Sequence, residues 1–312
     1  MSPPVLLWSL VVVSLVWAQR AWRARRWEAR FHARHPAGPD GIVIGAESRT
    51  FPAHGDRAVL LIHGYNDAPT ALAPLAGVLQ AAGWTVRTPL LPGHGRSLPA
   101  FDRWTASEAL ASVRAEYDAL RATHGRVVVG GLSMGAALAC SLAAEVSAAG
   151  VVLYAPMLVV PPLAQLVRRL GWLWHPVSRY VAGGGRRSIL DPAARARQIA
   201  YRSSSWASFR ALAGVAAMTA ERLPRVRVPT LVFLSRGDNR LPPAVAQASL
   251  DPLRPADRTV EWVDGAGHVI TVDYGWEQVA GRTVTWLESR VPGASAAASA
   301  APTPVPSPAP TV

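Results

Sequence analysis

Short apolar runs recur along the middle of the chain, and most are followed by a stretch whose apolar residues repeat at helical spacing. Such runs are typical of strands that are buried on both faces. Strands that alternate with helices favour an α/β domain with a mostly parallel central sheet and helices on both of its faces. The predicted strands span residues 57–63, 85–91, 126–130, 150–154, 229–234 and 259–263, and the predicted helices span residues 69–82, 104–123, 136–148, 243–250 and 274–290.

The alternation stops after Pro156 and resumes near residue 228. Segment 156–227 carries helical patterns and no comparable apolar runs, which predicts a helical cap inserted into the sheet domain. The core is then expected over residues 41–155 and 228–291. Ligands of open α/β sheets bind where the carboxyl ends of the strands meet, so we expect the functional site at that edge.

The amino-terminal segment combines an uncharged apolar stretch, Val5–Ala18, with a basic continuation. Fourteen helical residues reach about 21 Å, but counting from residue 1 to residue 22 approaches the roughly 30 Å of a bilayer core. We therefore expect a membrane anchor over residues 1–22 and a basic juxtamembrane linker over residues 23–40. The positive-inside rule then predicts a cytoplasmic domain, and the alternative is a secreted protein after cleavage of a signal peptide.

The net charge of +12 comes from two segments, and all 32 basic residues are Arg. Segment 20–34 has a net charge of +5 and segment 156–227 a net charge of +10, which leaves −3 on the rest. Nucleic-acid binding requires a recognisable module or a continuous basic stripe with stacking aromatics, and neither is found, so we expect no nucleic-acid partner. Residues 292–312 are rich in Pro, Ala and Ser, which predicts a disordered tail.

A serine lies between two glycines where an apolar run gives way to an alanine-rich helical pattern, in the sequence Gly131-Leu-Ser133-Met-Gly135. One interpretation is an ordinary helix N-cap. The other is a nucleophile elbow, a tight turn that exposes the serine Oγ at the carboxyl end of a strand. The preceding strand and the following helix favour the elbow.

Acyl transfer requires a nucleophile, a base, an acid that orients the base and donors for the oxyanion. Ser133, Asp238 and His268 follow predicted strands in the chain order of the α/β-hydrolase arrangement. Asp238 alone could be a solvated turn residue and His268 alone a loop residue, but their order after the elbow favours a triad. Asp264 and Asp273 are the competing acids. The expected oxyanion donors are the backbone N–H groups of Tyr65 and Met134.

Five motifs of this chain resemble those of the bacterial carboxylesterase and monoacylglycerol lipase group of α/β-hydrolases. They are HGYND (63–67), LPGHG (91–95), GLSMG (131–135), SRGD (235–238) and GAGHVITVDYGWEQV (265–279). The resemblance covers about residues 57–288 and is weakest in the cap, which it places after the sixth strand in the usual numbering of that fold.

This resemblance implies hydrolysis of carboxylic esters with no cofactor and with Ser133, Asp238 and His268 as the triad. It also implies that His94 braces the floor of the site. We count His63, Gly64 and Asp67 as further residues that shape it. Cys140 is the only cysteine and no metal-ligand spacing surrounds it, so we expect neither a disulfide nor a metal.

The expected substrate is lipid-like or a small ester: a medium-chain ester, a monoacylglycerol or a lysolipid. An acyltransferase would use the same residues with an alcohol in place of water, and this alternative stays open. A membrane-anchored binding protein without activity is the other alternative, because a fold does not determine a function.

Overall fold

The structure, a computed structural model, describes residues 3–160, 162–183, 188–254 and 257–292. The described part contains a seven-stranded sheet and a separate two-stranded sheet. The large sheet consists of β1 (Arg49–Phe51), β2 (Arg57–Ile62), β3 (Thr85–Thr88), β4 (Arg126–Leu132), β5 (Gly150–Tyr154), β8 (Thr230–Ser235) and β9 (Arg258–Val263), and the small one of β6 (Tyr180–Ala182) and β7 (Ser203–Ser205).

The strand order of the large sheet is β1-β3-β2-β4-β5-β8-β9. Every neighbouring pair is parallel except β1 with β3, so the predicted mostly parallel α/β sheet is confirmed. The ten α-helices of the described residues are α1 (Pro3–Arg34), α2 (Ala73–Ala81), α3 (Leu98–Phe101), α4 (Ala106–Arg121), α5 (Met134–Ala143), α6 (Pro162–Trp174), α7 (Pro192–Arg197), α8 (Trp206–Arg222), α9 (Pro243–Ala248) and α10 (Trp276–Arg290).

Alternating residues of the central strands belong to two hydrophobic cores, one on each face of the sheet. In β2, Leu60 and Ile62 pack into the core shared with α4, α5 and α8, whereas Val59 and Leu61 pack into the core shared with α2 and α10. This period of two explains why the central strands read as continuous apolar runs, since neither face of these strands meets water.

Helix α5 is buried along its whole length and consists mostly of small residues. Its first turn contacts the carboxyl end of β2 so closely that a Cβ on Gly135 would lie 2.0 Å from the Ile62 carbonyl oxygen. A Cβ on Gly131 would lie 2.4 Å from the Gly135 carbonyl carbon. Both glycines of the predicted elbow are therefore required by backbone contacts rather than by turn propensity alone.

The segment between β5 and β8, over which a helical cap is predicted, contains the helices α6, α7 and α8 together with β6 and β7. The insertion follows the fifth strand of the described sheet in chain order. Strand β7 is the run Ser203–Ser205, which is fully buried, and its last residue caps α8 by accepting the Ser208 N–H. A strand of three serines has no apolar signature, which is why the sequence pattern indicates only helices there.

Helix α1 corrects the expected membrane segment. The described residues contain no helix that is long and apolar enough to cross a membrane, so the predicted anchor over residues 1–22 is not supported. The apolar stretch of fourteen residues is short for a span, and the helix continues into the basic segment without a break. Residues 1 and 2 of the predicted anchor, and residues 293–312 of the predicted tail, lie outside the described residues.

The second half of α1 packs onto the rest of the protein. The Phe31 ring stacks on the Tyr201 ring with the centroids 4.6 Å apart, and the Glu28 carboxylate accepts the Leu98 N–H at 2.9 Å. Near the middle of the helix, Arg20 donates to the His175 carbonyl oxygen at 2.9 Å. Residues of the expected linker are thus helical and partly buried against the cap segment and α3.

Two glycine substitutions test the close contact at the elbow. We expect Gly135→Ala to lose several kcal/mol of stability or to fail to fold, because its methyl group overlaps the β2 backbone. Gly77→Ala, in α2 with open space around it, should instead stabilise by about 0.5–1 kcal/mol. Thermal unfolding followed by circular dichroism measures both, and a Gly135→Ala protein that unfolds at the wild-type temperature would contradict the described packing.

Candidate active site

Ser133 lies between β4 and α5 in a strained backbone conformation, with φ 55° and ψ −111°. The left-handed region is unfavourable for a residue with a Cβ, so the surrounding structure must hold it there. The Ser133 N–H donates to the Tyr154 carbonyl oxygen at 2.9 Å, and its own carbonyl accepts the Met157 N–H at 3.1 Å. The turn therefore has the backbone geometry expected of a nucleophile elbow and is tied to β5 on both sides.

The loop after β2 lies directly against this turn. A Cβ on Gly64 would be 3.6 Å from the Ser133 Cβ and 3.5 Å from the Leu132 carbonyl oxygen. Within the described residues, neither the Tyr65 N–H nor the Met134 N–H donates a hydrogen bond to another group. The loop that carries Tyr65 therefore adjoins the Ser133 turn, and the N–H groups of Tyr65 and Met134 have no acceptor among the described residues.

Asp238 and His268 form a hydrogen-bonded pair at the same edge of the sheet. Asp238 follows β8, His268 follows β9, and the Asp238 Oδ2 lies 2.7 Å from the His268 Nδ1. Burial opposes ionisation of Asp238, but the adjacent imidazole and the N–H groups of Arg240 and Leu241 overcome it and lower the pKa of this carboxyl. An ionised Asp238 can only accept, so the His268 Nδ1 is the donor.

Small residues bring these two loops together. The Ser235 hydroxyl donates to the Ala266 carbonyl oxygen at 2.8 Å and accepts the Gly237 N–H at 3.1 Å. A Cβ on Gly237 would lie 2.4 Å from that same carbonyl oxygen. The SRGD motif therefore uses its serine and its glycine to seat the acid loop against the loop that carries the histidine.

The two competing acids have other partners. Asp264 is exposed and forms an ion pair with Arg236 at 3.2 Å. Asp273 is fully buried, and its carboxylate accepts four backbone N–H groups rather than the imidazole. Of the three candidates, the structure pairs His268 with Asp238. The sequence did not reveal this structural role of Asp273, because its only signal was the position of the residue before a predicted helix.

His63 and His94 are buried beneath the loop after β2, with ring centroids 5.0 Å apart. The His63 Nε2 accepts the Leu91 N–H at 3.1 Å, so its Nδ1 donates to the Gly64 carbonyl oxygen at 2.9 Å. Burial lowers the pKa of His63 to about 4 and holds the pKa of His94 well below its ordinary value. Both rings are neutral packing elements, and His94 contacts Phe101 and Trp104 rather than Ser133 or His268.

Asp67 lies at the end of the same loop, where its Oδ1 accepts the Ala68 N–H at 2.9 Å. Burial raises the pKa of Asp67 to about 7, against only this one favourable hydrogen bond. The carboxyl group thus titrates near neutral pH beside the candidate oxyanion donors.

The Ser133 hydroxyl makes no hydrogen bond with another described residue. Nucleophile and base are often beyond hydrogen-bond distance in a protein without substrate, so this spacing is compatible with catalysis. Across the described ranges, no three His, Cys, Asp or Glu side chains cluster closely enough to hold a metal ion.

Comparison with known proteins assigns the family. A family model described as "Serine aminopeptidase, S33" (Hydrolase_4) matches residues 53–274. The thermostable monoacylglycerol lipase of Bacillus sp. (strain H-257) is 30% identical over 244 residues, which are 78% of this chain and 94% of that protein.

Solved structures agree with this assignment. A metagenome-derived lipolytic enzyme of the LipS and LipT pair has a TM-score of 0.72 and 25% sequence identity, covering 80% of this chain and 99% of that one. The monoacylglycerol lipase of Paleococcus ferrophilus has a TM-score of 0.65 at 22% identity, covering 78% and 98%, and supports the fold alone. The protein therefore belongs to the Hydrolase_4 family of α/β-hydrolases and is a carboxylic ester hydrolase.

Proposed function

We propose that this enzyme cleaves carboxylic esters through an acyl-enzyme on Ser133, with His268 as the base and Asp238 as the acid that orients it. The observation that carries the proposal is the 2.7 Å contact between Asp238 and His268, at the sheet edge where the strained Ser133 turn also lies. Because Nδ1 donates to the carboxylate, the Nε2 of His268 is left with a free lone pair for proton abstraction.

The reaction follows from this arrangement. His268 removes the proton of Ser133 as the Oγ attacks the ester carbonyl, and the resulting oxyanion accepts the N–H groups of Tyr65 and Met134. His268 then returns the proton to the leaving alcohol. The same imidazole then deprotonates a water molecule that attacks the acyl-enzyme, and it returns this proton to the Ser133 Oγ as the acid is released. The ionised Asp238 stabilises the imidazolium in both steps.

We further propose that the substrate is a single-chain acyl ester of medium length, a monoacylglycerol or a lysolipid. The named activity of the Bacillus relative supports this class. The residues around the turn support it too, since Met157 and Leu158 are buried just after β5 and the Tyr65 ring packs against Phe101 and Phe209. Apolar surroundings favour an acyl chain over a charged group.

Replacing the nucleophile tests the mechanism. We expect Ser133→Ala to remove at least about 99.9% of the hydrolysis of p-nitrophenyl esters, because no acyl-enzyme can form. The matched control Ser107→Ala, on the exposed face of α4, should keep the wild-type rate. A series from acetate to palmitate, followed by glycerol release from monoacylglycerols, measures the acyl preference.

The outcomes of this series separate the parts of the proposal. A folded Ser133→Ala protein that still hydrolyses esters would overturn the mechanism. A wild-type preference for acetate with no activity on monoacylglycerols would retain the serine mechanism and contradict the proposed substrate class.

Asp67 gives the enzyme a pH-dependent stability. Its pKa is raised to about 7 by burial, so the folded state binds this proton more tightly than the unfolded state does. The contribution of Asp67 to stability therefore falls as the pH rises from about 4 to about 7 and stays low above that range.

We accordingly expect Asp67→Asn to match the wild type near pH 4 and to be more stable at pH 8. The gain in the free energy of unfolding is about 1–2 kcal/mol. This is less than the full difference in pKa would give, because part of the residue is exposed to water. Urea unfolding at both pH values measures it. Asp118→Asn, whose ion pair with Arg114 is exposed, should change stability by less than about 0.5 kcal/mol at either pH. Equal effects of Asp67→Asn at pH 4 and pH 8 would contradict the expected titration.

A further inference from the structure

The carboxylate of Asp273 is fully buried and binds four backbone N–H groups from two separate segments. Its Oδ2 accepts from Gly267 at 2.7 Å and from Leu190 at 2.8 Å, and its Oδ1 accepts from Asp191 at 2.8 Å and from Tyr274 at 2.9 Å. No cation pairs with it among the described residues. A buried carboxylate is tolerated only when its lone pairs are satisfied, so this group holds the cap segment 188–191 to the loop that carries His268.

The same cap segment contacts both loops of the Asp238–His268 pair through Ser188. The Ser188 carbonyl oxygen accepts the Val269 N–H at 2.9 Å. Its hydroxyl accepts from the Arg240 Nε at 2.9 Å and donates to the Asn239 Oδ1 at 3.1 Å. One cap residue therefore bonds to groups that immediately follow Asp238 and to the residue that immediately follows His268.

These contacts enclose the histidine on both sides. The N–H of Gly267, the residue before His268, is bound by Asp273, and the N–H of Val269, the residue after it, is bound by Ser188. The backbone on either side of the imidazole is thus fixed by groups that play no part in the proposed proton transfers. Small displacements of a base cost large factors in rate, so such fixing has a catalytic consequence.

We propose that Asp273, together with the cap segment Ser188–Asp191, forms a clamp that positions His268 against Asp238. Asp273 is then a positioning residue, and the placement of the cap controls the geometry of the base. The effect on catalysis rests on the proposed function of His268. The clamp itself concerns only the hydrogen bond between His268 and Asp238.

The Asp273→Asn variant keeps the size of the side chain but replaces one acceptor oxygen by an NH2 group that faces N–H donors. We expect kcat to fall about 10- to 100-fold with KM within about threefold of the wild type, since the base is displaced and the acyl site is not. The acidic limb of the pH profile of kcat/KM should also move, because the imidazole loses its fixed contact with the carboxylate. The control is Asp264→Asn, in the same loop but exposed, which should change kcat less than twofold.

The experiment uses the full chain and counts active sites by titration with a fluorophosphonate, so that kcat refers to folded enzyme only. The second readout needs no ester: the low-field proton resonance of the hydrogen bond between His268 and Asp238, observed by NMR. We expect Asp273→Asn to shift or abolish this resonance and Asp264→Asn to leave it unchanged. If Asp273→Asn does not fold, Ser188→Ala takes its place. It removes the hydroxyl bonds to Arg240 and Asn239 beside Asp238 and keeps the carbonyl bond to Val269, and we expect a shifted resonance and a kcat lowered severalfold.

A variant that loses thermal stability but keeps the wild-type kcat per active site, pH profile and resonance would overturn the clamp and leave Asp273 a packing residue. Where Asp273→Asn does not fold, a Ser188→Ala protein with the wild-type resonance and kcat would overturn the control of the base by the cap, because the hydroxyl bonds to Arg240 and Asn239 would then not position the pair. A wild-type protein that is inert on all esters, but whose resonance responds to Asp273→Asn, would instead refute the proposed function and support the clamp.

Discussion

The contact between the first turn of α5 and the carboxyl end of β2 is the constraint on which the rest of the site depends. At Gly135 two backbones approach within a distance that excludes even a methyl group. This approach sets the Ser133 turn beside the loop that follows β2, and the Met134 N–H of the helix and the Tyr65 N–H of the loop both lack an acceptor among the described residues. It also explains why α5 is made of small residues and is buried throughout, because a larger helix could not lie so close to the sheet.

Three aspartates near the carboxyl ends of β8 and β9 have similar sequence surroundings, but each has a different bonding partner. Asp238 is paired with an imidazole, Asp264 pairs with an exposed arginine, and Asp273 is enclosed by amides. What separates them is the set of donors that the fold delivers to each carboxylate. The packing of the loops therefore decides the electrostatic role of each aspartate at this edge. The cap contributes to this packing as directly as the sheet does.

Much of this arrangement could be predicted from the sequence. The parallel strands can be recognised as apolar runs because both of their faces are buried. Gly131 and Gly135 mark a turn that no other residue could occupy. The sequence could not reveal strand β1, which is three residues long and lies at an edge, or strand β7, whose serines have no apolar pattern. Nor could it show the hydrogen bonds of Asp273 to Leu190 and Asp191, since they join residues more than eighty positions apart. The membrane anchor expected over residues 1–22 is not supported, because the described residues contain no helix that is both long and apolar enough to cross a membrane.

The packing of α1 has a consequence for where the folded unit begins. Phe31 stacks on Tyr201, which stacks in turn on Phe101, and the Tyr201 hydroxyl bridges the Gly93 carbonyl oxygen and the Arg96 N–H. These contacts run from the helix to the loop that carries His94. A chain truncated to the start of the family match at residue 53 would lack Phe31 and would expose one side of this aromatic stack to solvent. The packed contacts of the sheet domain therefore extend back to Glu28 and Phe31 of α1, ahead of the first strand of the sheet.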